Sequence, residues 1–248
     1  MKSWSVLVVV LMIAIACLAG HSAFVGDSSS SMTEAVEQGN LRDLNHFLKS
    51  GTALNAQLDC GRTPLELATW IGNLDVMAAL LSQGADPNIA DASGYSPLSC
   101  AATRGDLPAI KMLVNAGADI NWKDNSGRTP LHDCLACTGD VKCLRYLLAH
   151  GADVNARAND GWTPLHEAAV RGDVAMVKTL LDKGALPCVV NRNDRTPLDE
   201  ARDAQQPRMV EFLSDLESAM TIQPDRLDPV ASNDTGTQKA SQNVSQLE

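Results

Sequence analysis

One beat constrains this chain more than any other feature. The stretches RTPLELA, YSPLSCA, RTPLHDC, WTPLHEA and RTPLDEA begin at Arg62, Tyr95, Arg128, Trp162 and Arg195, so they recur at 33, 33, 34 and 33 residues. Gly39, Gly72, Gly105, Gly139 and Gly172 each precede a small polar residue and an apolar one, and Gly51, Gly84, Gly117, Gly151 and Gly184 follow LLxxG-like segments. Three markers on one period mean a stack of similar units, none of which can bury its apolar face alone.

Each unit has a physical reading. Thr followed by Pro places a hydroxyl cap and a fixed φ at a helix start, where the missing N–H costs nothing. The following Leu and Ala positions form the buried stripe of a short helix, and the mid-repeat Gly ends it. Asn or Asp caps a second helix, which LLSQG, LVNAG, LLAHG and LLDKG close with a Gly suited to the left-handed conformation. Segments such as GADPNIAD then turn back toward the next unit.

The period, TPLH at Thr129 and Thr163, and GADxN at Gly84, Gly117 and Gly151 resemble the ankyrin repeat. The resemblance covers about residues 32–218 as six units, the first and last atypical as caps. It implies an all-α repeat solenoid of stacked helix-turn-helix units with projecting β-hairpin loops, serving as a protein-binding module. His132 and His166 close TPLH, where the family's imidazole bonds within or between repeats.

The flanks differ. MKSWSVLVVVLMIAIACLAG has a positive start and an apolar run too short for a membrane span, the layout of an export signal over residues 1–23. Either ordinary cleavage follows, or Cys17 in IAIAC is a lipidation candidate of the bacterial lipoprotein type, with the Ser-rich 24–31 as linker. Residues 219–248 are polar and read as a disordered tail. The net charge of −10 argues against nucleic acid or an anionic membrane as the main partner and mildly favours a basic protein. Membrane association is expected only through the signal or a lipid anchor, and the molecule is expected to be a monomer in the periplasm or on the outer membrane, or else secreted.

The residues carry no catalytic constellation: no phosphate-cradling Gly loop, no HExxH and no nucleophile elbow. We therefore read a non-enzymatic scaffold without cofactor or metal. The cysteines ask a separate question, because LHDCLACTGDVKCL places Cys134, Cys137 and Cys143 within ten residues. The spacing of TPL motifs is still 33 up to Thr129, whereas Gly105 to Gly139 is already 34, so the extra residue of this repeat lies between Leu131 and Gly139. Aligned with the next repeat, Cys134 takes the buried place of Ala168, Cys143 that of Met176, and Cys137 falls near the helix end. After export, a disulfide from Cys143 to Cys134 or Cys137 and packed thiols are both open, with a thiol-redox or metal-linked role as a remote alternative.

Binding candidates come from two slots. The residues before the five TPL-like motifs are Arg62, Tyr95, Arg128, Trp162 and Arg195, a composition shared by interface hot spots and by hairpin packing, and the first four are the binding candidates. The residues before the mid-repeat Gly add Trp70, Ile71, Arg104 and Arg171, with Trp70 and Ile71 expected as an apolar patch. The expected partner is a protein of the envelope, such as an exported enzyme or toxin held in check; the alternative is a secreted effector that binds host proteins.

Overall fold

The computed structural model describes residues 28–49, 54–58 and 61–222. The expected export signal, Cys17, Cys60 and the tail beyond Ile222 lie outside the described residues.

Each TPL-like stretch starts a helix as its chemistry dictates. Thr63, Ser96 and Thr196 accept the N–H three residues on, at 3.2, 3.1 and 3.2 Å, and each is followed by Pro in the first turn. Three of the mid-repeat glycines, Gly72, Gly105 and Gly172, end these helices with φ of 83°, 65° and 77°. Asn73, Asp106, Asp140 and Asp173 then cap the second helices.

The result is twelve described helices in two layers. The inner layer is α1 (Ser28–Glu37), α3 (Pro64–Ile71), α5 (Pro97–Arg104), α7 (Pro130–Ala136), α9 (Pro164–Arg171) and α11 (Pro197–Asp203). The outer layer is α2 (Leu41–Lys49), α4 (Leu74–Ser82), α6 (Leu107–Asn115), α8 (Val141–Ala149), α10 (Val174–Asp182) and α12 (Pro207–Ile222). Inner helices pack on inner helices and outer on outer, each against its neighbours in sequence. One core of fully buried Leu, Ala, Val, Ile, Met and Cys side chains runs through all six units.

The loops depart from the expected hairpins. Among the described residues there is no strand: each tip is closed by a backbone bond across it, such as Asp91 N–H to Tyr95 O at 3.0 Å and Ala158 N–H to Trp162 O at 2.9 Å. Successive tips also join, through Asn125 N–H to Ser93 O, Asn159 N–H to Ser126 O and Arg192 N–H to Asp160 O.

The GADxN asparagines form a second ladder. The side chains of Asn88, Asn121 and Asn155 each accept an N–H of the next loop and donate to its glycine carbonyl, Asn88 for example to Gly117 O at 3.1 Å. The ladder's next slot holds Cys188 in GALPC, and α12 runs on where a seventh loop would begin.

The two ends also shift the expected boundaries. Helix α1 already includes Ser28–Ser31, and α12 continues past Ser218. In the sixth unit, which has Asp194 and Gln205 in glycine slots, both keep the left-handed backbone at φ 56°. The stack thus imposes its turn geometry even where the residue is costly there.

Candidate protein-binding surface

The residues before the TPL-like motifs are largely consumed by the fold. Arg62 is only 7% exposed: it pairs with Glu66 at 3.2 Å and lies 4.6 Å from the centre of the Trp70 ring. Tyr95 is half-buried, its hydroxyl donating to Ser99 O at 3.3 Å and bonding Thr103. Arg128 is held by Asp133 at 3.4 Å and by Glu167 of the following repeat. Trp162 is half-buried, 5.7 Å from the His166 ring. All four pack along the neighbouring loop or helix, one of the two roles their composition allows. Only parts of Tyr95, Arg128 and Trp162 reach solvent.

Arg104 and Arg171 have a second structural duty. Arg104 donates to Trp70 O at 2.8 Å and lies over Gly72, so a Cβ there would sit 2.5 Å from its guanidinium. Arg171 donates to Leu135 O, Ala136 O, Cys137 O and Thr138 O at 3.3, 3.3, 3.2 and 2.9 Å, and lies over Gly139. Each guanidinium therefore caps the carbonyl end of the preceding inner helix, where a cation is favoured. Although exposed, both are anchored inside the stack.

Trp70 and Ile71 remain. Trp70 is half-buried beneath Arg62 and Ile71 is 38% exposed, one of four large hydrophobic side chains that stand out among the described residues. Ile71, Gly72, Asn73, Leu74 and Asp75 line a shallow open depression between α3 and α4. The expected apolar patch is present in reduced form, with Ile71 as its open member.

The polar groups beneath this face are neutral or paired. His132 Nδ1 accepts Thr129 N–H at 3.1 Å, which leaves Nε2–H to donate to Trp162 O at 3.3 Å. Burial, together with the charge of Arg128, lowers its pKa to about 4. His166 repeats the arrangement with Thr163 and Arg195 O, and burial lowers its pKa as well. Both imidazoles are inter-repeat fasteners. Glu66 Oε2 and Asp133 Oδ2 are buried without a hydrogen-bond partner. Burial pushes Glu66 up to about 8, aided by Asp91 against Arg62, and Asp133 up to about 7, opposed mainly by Arg128.

Cys100, Cys134, Cys137, Cys143 and Cys188 are all free thiols. Of the two open readings the geometry has packed thiols: Cys143 donates to Gly105 O at 3.2 Å, and Cys134 to Asp140 O at 3.9 Å. Burial first, then nearby negative charge, pushes both thiols up to about 12, and burial also raises Cys137. A nucleophilic or metal-binding thiolate needs the opposite shift. No group of three or more His, Cys, Asp or Glu suited to a metal converges among the described residues.

The extra residue is absorbed at the end of α7. This helix has seven residues, and Cys137 follows it at φ −100° and ψ −65° rather than a left-handed glycine. Gly139 N–H then reaches back to Cys134 O at 3.1 Å, a wider turn.

The family model for Ankyrin repeats (3 copies) matches residues 32–124, 66–158, 100–191 and 156–224. The chain belongs to the ankyrin-repeat family, whose members are generally protein-binding scaffolds and typically not enzymes. No curated protein matches it.

Proposed function

We propose that this chain is an exported ankyrin-repeat scaffold of the cell envelope that binds a protein partner through the α3–α5 side of the stack, and that it does no chemistry. The observation that carries the reading is Ile71 beside Trp70. While the neighbouring arginines and aromatics are tied into the fold, Ile71 stays open at the rim of a depression, and apolar groups at such positions anchor interfaces. The apolar N-terminal run supports export, with Cys17 available for lipidation. Restraint of an exported enzyme or toxin is the partner role we favour. Trp162 and Tyr95 extend the contact along the loops.

Fractionation and capture test this together. Recovery in the periplasm or outer membrane is expected, and recovery in the medium overturns the envelope assignment. Ile71→Asp is expected to abolish capture of the partner from envelope extracts with an unchanged melting temperature. Undiminished capture by Ile71→Asp removes α3 from the interface.

A further inference from the structure

The outer helices carry a pattern at odds with the chain's acidity. Lys111, Arg145 and Lys178 are each the fifth residue of α6, α8 and α10, so packing of these helices places three cations in one column. Lys142 and Lys183 flank the column, and all five side chains are exposed. In a chain of net charge −10, these three helices hold four basic residues and one acid, Asp182.

None of the five cations has a carboxylate within ion-pair distance among the described residues. The ion pairs at Arg62, Arg128, Arg195 and Arg202 lie on the inner side. Two members of the column are nevertheless held in place: Lys111 Nζ lies 5.7 Å from the Tyr146 ring centre and Lys178 Nζ 5.5 Å from that of Phe212, each ring belonging to the next repeat. A ring face positions an ammonium without neutralising it. Two of the column's three cations are therefore held in place, and none is ion-paired among the described residues, the capping Asp106, Asp140 and Asp173 standing at the starts of these helices. The column's borders are acidic, Asp75 on α4 and Glu211 and Asp215 on α12.

We infer that this column is a second docking surface, separate from the inner-helix face, for an acidic polypeptide segment lying across the outer helices. Packed helices are spaced about 8–10 Å apart. A polyproline II segment advances about 3.1 Å per residue with three residues per turn, so acids at every third position recur on one side at a matching interval. The exposed apolar residues around the column, Pro108, Ala149 and Ala175, are small, and the Tyr146 and Phe212 rings are half-buried beneath Lys111 and Lys178, so little apolar surface is left for bilayer insertion and a peptide is favoured.

The test is fluorescence anisotropy of labelled (Glu-Pro-Pro)4 with the purified protein at low and physiological salt. Binding that weakens with salt is expected, together with at least about tenfold weaker binding by Lys111→Glu/Arg145→Glu/Lys178→Glu. Because reversing Lys111 and Lys178 disturbs the ring contacts, Lys142→Glu/Arg145→Glu/Lys183→Glu serves as a second variant and is expected to lose affinity as well. Arg42→Glu/Lys49→Glu/Arg208→Glu, with the same change in net charge, is expected to bind within about twofold of the parent. Equal losses in all three variants reduce the effect to overall charge and overturn the proposal. So does binding to phosphatidylserine vesicles in the absence of peptide binding, which assigns the column to a lipid surface.

Discussion

The fourth and fifth repeats begin alike and end differently. TPLH starts both inner helices, with the same Thr–His cap and the same bond from imidazole to the next loop. Helix α9 then runs eight residues to Gly172, whereas α7 stops after seven and needs Cys137 and Thr138 to reach Gly139. The next repeat compensates for the difference: Gln206 gives α9 one carbonyl contact, at Val170, and Arg171 gives the end of α7 and its turn four. An inserted residue is thus tolerated because the exposed carbonyls at its turn have a donor at hand.

The most severe way to break this contrast is to put a side chain at the two glycines. Gly139→Ala is expected to cost about 3 kcal/mol, from the left-handed backbone and from the eviction of Arg171, with Gly172→Ala costing about 1 kcal/mol less. Equal losses by chemical denaturation would show that Arg171 contributes nothing special.

A pH comparison comes next. The folded state holds Asp133's proton up to about pH 7, whereas the free side chain releases it near 3.8, so stability is lost as pH rises through that window. Asp133→Asn is expected to flatten this loss by about 2 kcal/mol between pH 4 and pH 8. His132 and His166 work in the opposite direction, losing stability as pH falls below about 6.5, and they do so in both repeats. Parallel pH profiles for Asp133→Asn and the parent would return that carboxyl to ordinary acidity.

Arg171→Ala is expected to destabilise by about 1–2 kcal/mol, against about 0.5–1 kcal/mol for Arg104→Ala, which loses a single carbonyl contact. Thermal melts of the pair rank them, and a larger loss in Arg104→Ala refutes the capping account. Deletion of Cys137 has the smallest expected effect, within about 1 kcal/mol of the parent, because it restores the length of α9 and leaves Thr138 over Gly105. A collapse of folding on that deletion would make the wide turn essential.

The fold was legible in the sequence because capping and turn chemistry repeat on a fixed period and act locally. The core cysteines were legible for the same reason, since register alone assigns Cys134 and Cys143 to buried slots. The site was less so. Arg62, Arg128 and Arg171 have the composition of an interface, but their partners Glu66, Glu167 and the Leu135–Thr138 carbonyls decide their role, and most of these lie a repeat away. The outer cations carried a readable signal, Lys111, Arg145 and Lys178 at intervals of one repeat, although an exposed charge tells little until its missing counter-charge is known.

Arg104 completes a helix that ended more than thirty residues earlier, and so do Arg171 and Gln206. The asparagine ladder runs the same way, each rung closing on the loop that follows it. A chain built this way matures in the direction of its synthesis. As it emerges from the ribosome, its newest unit always waits for donors that the next repeat has yet to deliver.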